Sequence, residues 1–312
     1  MKKVLVTGGA GFIGSNLIEE LLSKGYQVVC LDNLSTGSKK NIEEFLDNQR
    51  FEFIEGDILD YNLLLKCTKG TYGVLHQAAL GSVPRSIKDP ITSNRVNVEG
   101  TLNVFKACVE NEVERVIYAA SSSTYGDSQE LPKREDKIGK PISPYGVTKL
   151  VNEIYADVFQ KVYGLNTIGL RYFNVFGPKQ DPNGAYAAVI PLFIKAILSG
   201  NQPIINGDGN HSRDFTFVKN VVQANIKALE ASADKFNGVY NVACGDRTTL
   251  NELVDYINEI VGVDIKPLYK KEREGDIKHS LADISKAREM LSYDPEYSIK
   301  KGLKDTIDWY KN

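Results

Sequence analysis

The apolar residues of the chain fall into short strand-like runs separated by longer amphipathic stretches. The first run, residues 4–6, is apolar and largely β-branched, as expected for a strand buried on both faces. Similar runs recur at 27–32, 51–55, 73–77 and 115–120. Strands that alternate with helices indicate a parallel sheet, and the alternation predicts about five or six βα units. The predicted fold is therefore α/β, with a doubly wound parallel (Rossmann) sheet.

The pattern changes after Tyr172, where the predicted elements become shorter and mixed. We therefore interpret residues 1–171 as the Rossmann domain and residues 172–312 as a smaller, mixed α/β lobe. A helical stretch in this second part is predicted to return to the first domain at about 218–238. No single position in the chain therefore separates the two domains.

Three further elements are predicted in the first domain. A short helix is expected after Gly37, and residues 82–86 are expected to form a loop before a long helix that runs to about Glu112. Ser143 and Pro144 precede a helical pattern that reaches about Tyr163.

Composition and charge mainly exclude certain classes of partner and site. The 312 residues carry a net charge of −2, which gives no reason to expect nucleic acid or an anionic membrane as partner. The longest mostly apolar run, 187–198, is too short to span a bilayer. The four cysteines and three histidines are scattered, so we expect no metal site and a reducing, cytoplasmic location. The first strand starts almost at Met1, so no signal peptide is predicted.

A glycine-rich turn follows the first strand. Gly8 is suited to a tight turn, Gly11 to close approach of a pyrophosphate, and Gly14 to close helix–strand packing. The helix that starts near Gly11 would direct its free N–H groups at that phosphate. Asp32, at the end of the second strand, is placed to accept hydrogen bonds from the adenosine ribose and would repel a 2′-phosphate. The stretch predicts an NAD site rather than an NADP site.

A second constellation suits acid–base chemistry on an alcohol. Tyr145 and Lys149 are four residues apart on a predicted helix and share one face. A neighbouring ammonium favours the phenolate, so we expect Lys149 to lower the pKa of Tyr145. Tyr297 and Lys301 match the same pattern, but no strand ending in serines precedes them, and we interpret that match as coincidence.

These motifs resemble those of the extended short-chain dehydrogenase/reductase family. The fingerprint of that family is Thr-Gly-x-x-Gly-x-x-Gly, which the chain matches over 7–14. The resemblance covers the whole chain and includes the serine run before Tyr125, the sequence Ser143-Pro-Tyr145 with Lys149, and residues 171–175.

The resemblance also implies the residues that contact NAD. Asp57 and Ile58 would contact the adenine, although a helix cap for the segment from Asp60 is an equal alternative for Asp57. Asn97 would hold the backbone of the catalytic helix, whereas for His76 a structural role is favoured over catalysis. The predicted cofactor-binding residues are Gly8, Gly11, Phe12, Ile13, Gly14, Asp32, Asn33, Ser35, Thr36, Gly37, Asp57, Ile58, Gln77, Ala78, Ala79, Asn97, Tyr145, Lys149, Tyr172 and Val175.

For the substrate, the resemblance implies a UDP-sugar, bound by the smaller lobe of residues 172–312. Arg213 and Arg273 match two family arginines that contact the nucleotide diphosphate, and Asp276 matches an acid near the ribose. For either arginine alone, a surface salt bridge is an equal alternative. The predicted substrate-binding residues are Ser82, Arg85, Ser121, Ser122, Ser123, Tyr145, Asn174, Ala188, Val189, Arg213, Arg273, Asp276 and Ser280.

The serine run helps to choose the reaction. Counted back from Tyr125, Ser121 occupies the catalytic Ser/Thr position of the family, with Tyr145 and Lys149 as its catalytic partners. Related 4,6-dehydratases carry an Asp-Glu pair directly after that position, and related decarboxylases usually carry a Glu. This chain has Ser122 and Ser123 at those positions. Of the three reaction classes, it is therefore most similar to the UDP-hexose 4-epimerases.

Segments 77–86, 119–125 and 279–283 look most like the subgroup that acts on N-acetylhexosamine nucleotides. We therefore expect 4-epimerisation of UDP-GlcNAc and UDP-GalNAc, or of their uronic acids, by a homodimer with bound NAD. The alternatives are epimerisation of UDP-glucose or UDP-glucuronate, net oxidation or reduction of a nucleotide sugar, and a non-catalytic NAD sensor. The intact Tyr145, Lys149 and Ser121 argue against the sensor.

Overall fold

The computed structural model describes residues 1–184, 187–236, 238–272 and 278–311. Its strands, in chain order, are Lys3–Thr7 (β1), Gln27–Asp32 (β2), Phe51–Glu55 (β3), Gly73–His76 (β4), Arg115–Ser121 (β5), Thr167–Tyr172 (β6), Val175–Phe176 (β7), Ile204–Asn206 (β8), Ser212–Arg213 (β9), Thr216–Phe217 (β10), Gly238–Val242 (β11), Thr248–Thr249 (β12) and Leu268–Lys270 (β13).

The α-helices are Phe12–Ser23 (α1), Tyr61–Thr68 (α2), Val83–Lys88 (α3), Pro90–Asn94 (α4), Gly100–Glu110 (α5), Pro144–Tyr163 (α6), Val189–Leu198 (α7), Val218–Glu230 (α8), Leu250–Val261 (α9), Ser285–Leu291 (α10) and Ile299–Lys311 (α11). Among the described helices, none combines the length and the apolar character needed to cross a membrane.

Seven strands form one parallel sheet in the order β3–β2–β1–β4–β5–β6–β11. The predicted doubly wound α/β fold is therefore confirmed. Because the strand order reverses between β1 and β4, their carboxyl ends open a crevice, which is the usual ligand position in such sheets. The remaining strands form two-stranded pairs, β10–β7, β12–β9 and β13–β8.

Apolar side chains of the sheet are covered on both faces. One core cluster joins the sheet to α1 and α8, and a second joins it to α2, α5 and α6. A third cluster lies outside the sheet and is built from α7, α9 and α11 around buried residues such as Phe193, Phe217 and Leu253. The third core supports the part of the chain that follows Tyr172.

The chain returns to the large sheet after this excursion. Helix α8 packs against α1, and β11 pairs in parallel with β6, with Gly238 opposite Ile168 and Val242 opposite Tyr172. The last strand of the large sheet is thus supplied from the second half of the chain.

Three local predictions were wrong. Residues 83–88 form α3 instead of a loop, because the Ser82 hydroxyl accepts a hydrogen bond from the Arg85 N–H and a proline occupies the first turn, both of which favour a helix start. The predicted long helix is divided into α4, a π-helical turn at Arg95–Glu99, and α5. After Gly37 the chain forms two 3₁₀ turns, Lys39–Asn41 and Glu43–Phe45, and no α-helix.

A buried ion pair joins α6 to the sheet. The Arg171 guanidinium donates from Nε and Nη2 to the two carboxylate oxygens of Glu153, at 2.9 and 2.7 Å. Both side chains are buried, and Arg171 also donates to the Glu135 carbonyl and lies over the Tyr125 ring. This two-pronged geometry is the one in which a buried pair is best compensated for its lost hydration.

A second buried acid joins loops in the part of the chain that follows Tyr172. The Asp214 carboxylate accepts hydrogen bonds from the backbone N–H groups of Cys244, Gly245 and Ala282, at 2.9–3.2 Å. Burial raises the pKa of Asp214 to about 7, although those three donors act in the opposite direction. The carboxylate therefore joins two backbone segments, 244–245 and the one at Ala282, by accepting their hydrogen bonds.

Asp214→Asn should lower the free energy of unfolding by about 1–3 kcal/mol, because an amide presents one N–H₂ group to N–H donors and leaves at least one of them unsatisfied. The measurement is chemical denaturation at pH 8, where the wild-type carboxyl is mainly ionised. Asp294→Asn, which alters an exposed side chain, is the matched control and should change stability by less than about 0.5 kcal/mol. Equal stability of the two variants would contradict the proposed tie.

Candidate functional site

Two neighbouring cavities open at the carboxyl edge of the large sheet. The first has a volume of about 420 Å³ and the second of about 960 Å³. Asn174 and Val175 line both, and Asn174 also lines a third cavity of about 180 Å³. Asn174 has a backbone φ of +35°, close to the left-handed region that asparagine tolerates better than most residues.

The glycine turn forms the floor of the first cavity. Gly8 has a φ of +67°, and a Cβ at this position would lie 2.7 Å from the Ala78 backbone. A Cβ on Gly14 would lie 2.2 Å from the carbonyl oxygen of Gly8. Since α1 begins at Phe12 and its N-cap, Gly11, has no side chain to fill the space, the N–H groups of the first turn face an open cradle. A dinucleotide phosphate fits this cradle.

Asp32 is held rigidly beside the same cavity. One carboxylate oxygen accepts from the Ala10 N–H at 3.0 Å and the other from the Leu34 N–H at 2.8 Å. Burial raises the pKa of Asp32, and the two N–H donors oppose that shift. The neighbouring Asn33 donates from its amide to the Asp57 carboxylate at 2.7 Å.

Most of the residues predicted to contact the cofactor line the first cavity. They are Gly8, Gly11, Phe12, Ile13, Gly14, Asp32, Asn33, Ser35, Thr36, Asp57, Ile58, Gln77, Ala78, Ala79, Tyr145, Lys149, Tyr172 and Val175. For Asp57 the alternative was a helix cap, but the cap of α2 is Asp60, whose carboxylate accepts from the Leu63 N–H. Asp57 instead lines the cavity.

Gly37 and Asn97 do not line this cavity. A Cβ at Gly37 would lie 3.0 Å from the Asp32 carboxylate, so this glycine makes room for that side chain. Asn97 is fully buried in the π-helical turn and makes a two-sided amide clamp on the backbone of Leu80, at 2.7 and 3.2 Å. It also donates to the Thr148 hydroxyl at 3.2 Å, so it reaches α6 through a side chain and not through the helix backbone.

Other lining residues were missed by sequence reasoning because they contribute backbone or small apolar surface. They are Leu31, Gly56, Leu80, Gly81, Val96, Ala119 and Ala120. Their residue types carry no signal of binding. Ala119 and Ala120 could still have been found from their position at the carboxyl end of β5, which predicts proximity to a ligand.

The predicted catalytic side chains meet where the first cavity approaches the second. Tyr145 and Lys149 project from the first turns of α6, which Ser143 caps by accepting from the Gly146 N–H at 3.1 Å. The Ser121 hydroxyl hydrogen-bonds to the Tyr145 phenol. Ser123 donates its hydroxyl to Ser121 at 2.8 Å, which leaves the Ser121 hydroxyl proton for another acceptor.

The electrostatics of this group differ from the expectation. Burial raises the pKa of Tyr145, and the hydrogen bond with Ser121 is what lowers it in part. Lys149 donates to the Ala119 carbonyl at 2.8 Å, and its ammonium is 5.8 Å from the centre of the Tyr145 ring. Burial also lowers the pKa of Lys149 to about 8, against the nearby charge of Glu153. Burial is therefore the largest influence on the pKa of both side chains.

His76 is a structural residue of the sheet. Its buried ring is hydrogen-bonded to the hydroxyls of Thr7, at 2.7 Å, and Thr101, at 3.0 Å. Burial lowers the pKa of His76 to about 3, so the imidazole stays neutral. Among the described residues, no group of His, Cys, Asp or Glu has the arrangement of a metal site.

The predicted substrate residues separate into four groups. Those that line the second cavity are Ser122, Ser123, Asn174, Ala188, Val189, Arg213 and Ser280, while Ser121 and Tyr145 line the first. Ser82 and Arg85 line neither cavity; Ser82 caps α3. Arg273 and Asp276 lie outside the described residues.

The second cavity also contains residues that were not predicted to contact the substrate. They are Val83, Pro84, Ile87, Tyr125, Gly126, Lys133, Ile142, Ser143, Phe173, Val175, Phe176, Ile190 and Phe215. Most are apolar wall residues, but Lys133 is a buried cation.

Comparison with known proteins identifies the family of the chain. The profile of the NAD dependent epimerase/dehydratase family matches residues 4–243. The chain is 40% identical to a putative UDP-glucose 4-epimerase of Methanocaldococcus jannaschii, over 99% of this chain and 98% of the relative.

Two solved structures are similar over nearly the whole chain. One is the UDP-N-acetylglucosamine 4-epimerase from Methanobrevibacter ruminantium in complex with UDP-N-acetylmuramic acid, with 43% identity, a TM-score of 0.93, and coverage of 99% of this chain and 98% of that one. The other is the UDP-glucuronic acid 4-epimerase from Bacillus cereus with UDP-glucuronic acid and NAD, with 34% identity, a TM-score of 0.92 and 99% coverage of both. The cofactor is NAD, as predicted, and the chain belongs to the NAD dependent epimerase/dehydratase family.

Proposed function

We propose that this NAD-dependent UDP-sugar 4-epimerase acts on UDP-N-acetylhexosamines, either UDP-GlcNAc and UDP-GalNAc or their uronic acids. The observation that carries the proposal is a small residue, Ser280, in the wall of the large second cavity. A cavity of about 960 Å³ with a serine at that point has space for an acetamido group.

The catalytic side chains suit reversible deprotonation of the sugar 4-hydroxyl. Bound NAD supplies the hydride acceptor and donor at carbon 4. Tyr145 takes the hydroxyl proton and returns it, while Ser121 holds both the phenol and the reacting sugar oxygen. Lys149 holds the nicotinamide ribose and, when protonated, favours the phenolate. Because burial raises the pKa of Tyr145, the ordered contacts of the complete site must offset that desolvation.

Inversion at carbon 4 requires the flat keto sugar to present its other face. The second cavity is larger than the first and has mainly apolar walls near the serine run, such as Val83, Ile87 and Phe173. Such walls make few directional hydrogen bonds, so they permit the sugar to turn while its nucleotide stays anchored.

We assign the nucleotide to the far end of the second cavity. Arg213 lines both the second and the third cavities, and its guanidinium is oriented by hydrogen bonds to the carbonyls of Ser212 and Lys278, at 3.0 and 3.1 Å. A planar guanidinium matches two oxygens of a diphosphate. Asn174, which donates to the Asp214 carbonyl, would separate the diphosphate from the sugar.

We also propose that the protein is a homodimer. Exposed apolar side chains follow the outer face of α6 and the adjacent α3 and α4: Ile87, Ile91, Ile154, Val158 and Val162 are between 41% and 80% exposed. Helices of this kind pair in the family that the sequence resembles. A second copy would remove this apolar strip from water.

The substrate is tested by comparing Ser280→Tyr with the wild type. The phenol ring would overlap an acetamido group. The ratio of kcat/KM for UDP-GlcNAc to that for UDP-glucose should therefore fall by more than the tenfold to hundredfold that one methylene in a pocket gives, which corresponds to about 1–3 kcal/mol. Product formation is followed by proton NMR without added NAD. Ser280→Ala, which adds no bulk, is the control; an unmoved ratio in the tyrosine variant would remove Ser280 as the size determinant.

The base is tested with Tyr145→Phe. Loss of the phenol oxygen should lower kcat by at least about a hundredfold while NAD stays bound, since a general base contributes that much or more. The matched control is Tyr297→Phe, which removes the phenol of the other Tyr-x-x-x-Lys sequence, packed against Phe217 and Lys301. Near-normal turnover in Tyr145→Phe would exclude this tyrosine as the base.

The dimer is tested by sedimentation equilibrium. The wild type should sediment at twice the chain mass of 34.6 kDa, and Ile154→Lys should shift it toward the monomer because a charge enters the apolar strip. Leu268→Lys, at an exposed position on β13, should leave the mass unchanged. A monomeric wild type at micromolar concentration would refute the proposal.

A further inference from the structure

The charged side chains in the described lining of the second cavity are all positive. Its described lining contains two cations, Lys133 and Arg213, and no aspartate or glutamate. Arg213 also borders the third cavity, whereas Lys133 does not. The two cations therefore serve different parts of the space, and the one at the nucleotide end is Arg213.

Lys133 lies at the sugar end. It shares the second cavity with Ser122, Ser123 and Tyr125, which directly follow the catalytic Ser121, and with Ser280. Its backbone connects it to Ser280: the Lys133 N–H donates to the Leu281 carbonyl at 2.7 Å, and the adjacent Ser280 N–H donates to the Ser212 carbonyl at 3.0 Å.

The backbone of Lys133 is fixed on the other side as well. Its carbonyl accepts from the Asp283 N–H and from the Asn241 side-chain amide, both at 2.9 Å. The residue is only 6% exposed, so the stem of the side chain has little freedom. A cation held in this way is pre-organised for a ligand.

Within the described part of the chain, no anionic side chain balances the charge of the Lys133 ammonium. It donates to the Ser128 carbonyl, and within the described part of the chain no carboxylate lies at ion-pair distance from it. Burial lowers the pKa of Lys133, opposed by the more distant charge of Glu130. A buried ammonium without an anionic partner is costly, and an anion from the substrate would remove that cost.

We propose that Lys133 is the counter-ion for a carboxylate carried by the hexose, and that the preferred substrates are UDP-N-acetylhexosaminuronates rather than their neutral counterparts. The inference rests on the proposed function and selects one member of its substrate class. A charge-assisted N–H···O bond to a carboxylate is stronger than one to a hydroxyl, so Lys133 discriminates between the two oxidation levels of the sugar.

The test measures kcat/KM for UDP-N-acetylglucosaminuronate and for UDP-GlcNAc in the wild type, Lys133→Met and Lys133→Arg. Methionine keeps most of the apolar stem and removes the charge. The ratio of uronate to neutral substrate should exceed one in the wild type and fall at least about tenfold in Lys133→Met, the lower end for a hydrogen bond to a charged group. Lys133→Arg should retain part of the preference because it keeps the charge.

Two measurements separate this role from others. The dissociation constant of UDP alone, measured by calorimetry, should change less than threefold in Lys133→Met, because Arg213 and not Lys133 is assigned to the diphosphate. Lys140→Met, at an exposed lysine of the same loop, should leave the substrate ratio as in the wild type.

The proposal is overturned if the wild type prefers the neutral sugar, if both substrates lose activity equally in Lys133→Met, or if UDP binding weakens in parallel. Each of these results would leave epimerisation of UDP-GlcNAc intact as evidence for the proposed function. Absence of epimerisation with every N-acetylated sugar would instead refute the proposed function itself.

Discussion

The geometry of the catalytic helix depends on the buried ion pair between Arg171 and Glu153. Arg171 is the penultimate residue of β6, and Glu153 lies one turn beyond Lys149 on α6, so the pair fixes the rotation of that helix against the sheet. The same guanidinium covers the Tyr125 ring beneath the serine run. Removal of either partner would strand a charge in the core at a cost of about 3–5 kcal/mol. Strand, serine run and catalytic helix are therefore placed by one contact.

Around this fixed helix, the charged and polar side chains are arranged mostly by hydrogen bonds to backbone. Lys149 is aimed by the Ala119 carbonyl, Asp32 by two N–H groups, and Asn97 by the Leu80 amide. Backbone partners do not change when a neighbouring side chain does. The site is thus pre-organised before ligands arrive, and ligand binding adds charge and removes water from groups that already stand in position.

Much of this arrangement could be predicted from the sequence because periodicity and spacing are local properties. The glycine turn, Asp32 at a strand end, and Tyr145 and Lys149 one turn apart all follow from such rules. The start of α3 was misjudged although Ser82 and the following proline signal it, since the same residues are common in loops. Effects that depend on contacts distant in sequence could not be predicted. Desolvation reverses the expected shift in the pKa of Tyr145. Lys133 becomes a buried cation only through the pairing of its backbone with residues 281–283.

The pairing of β11 with β6 constrains how the protein folds. The strand 167–172 is buried along its whole length, yet its outer partner is separated from it by the segment that forms β7, α7, β8, β9, β10 and α8. Until residues 238–242 have been synthesised, this apolar strand is an open edge that can pair with another chain. Closure of the sheet is a contact of long sequence separation and is correspondingly slow. The period of greatest aggregation risk therefore lies late in synthesis, after the catalytic helix exists and before the chain has returned.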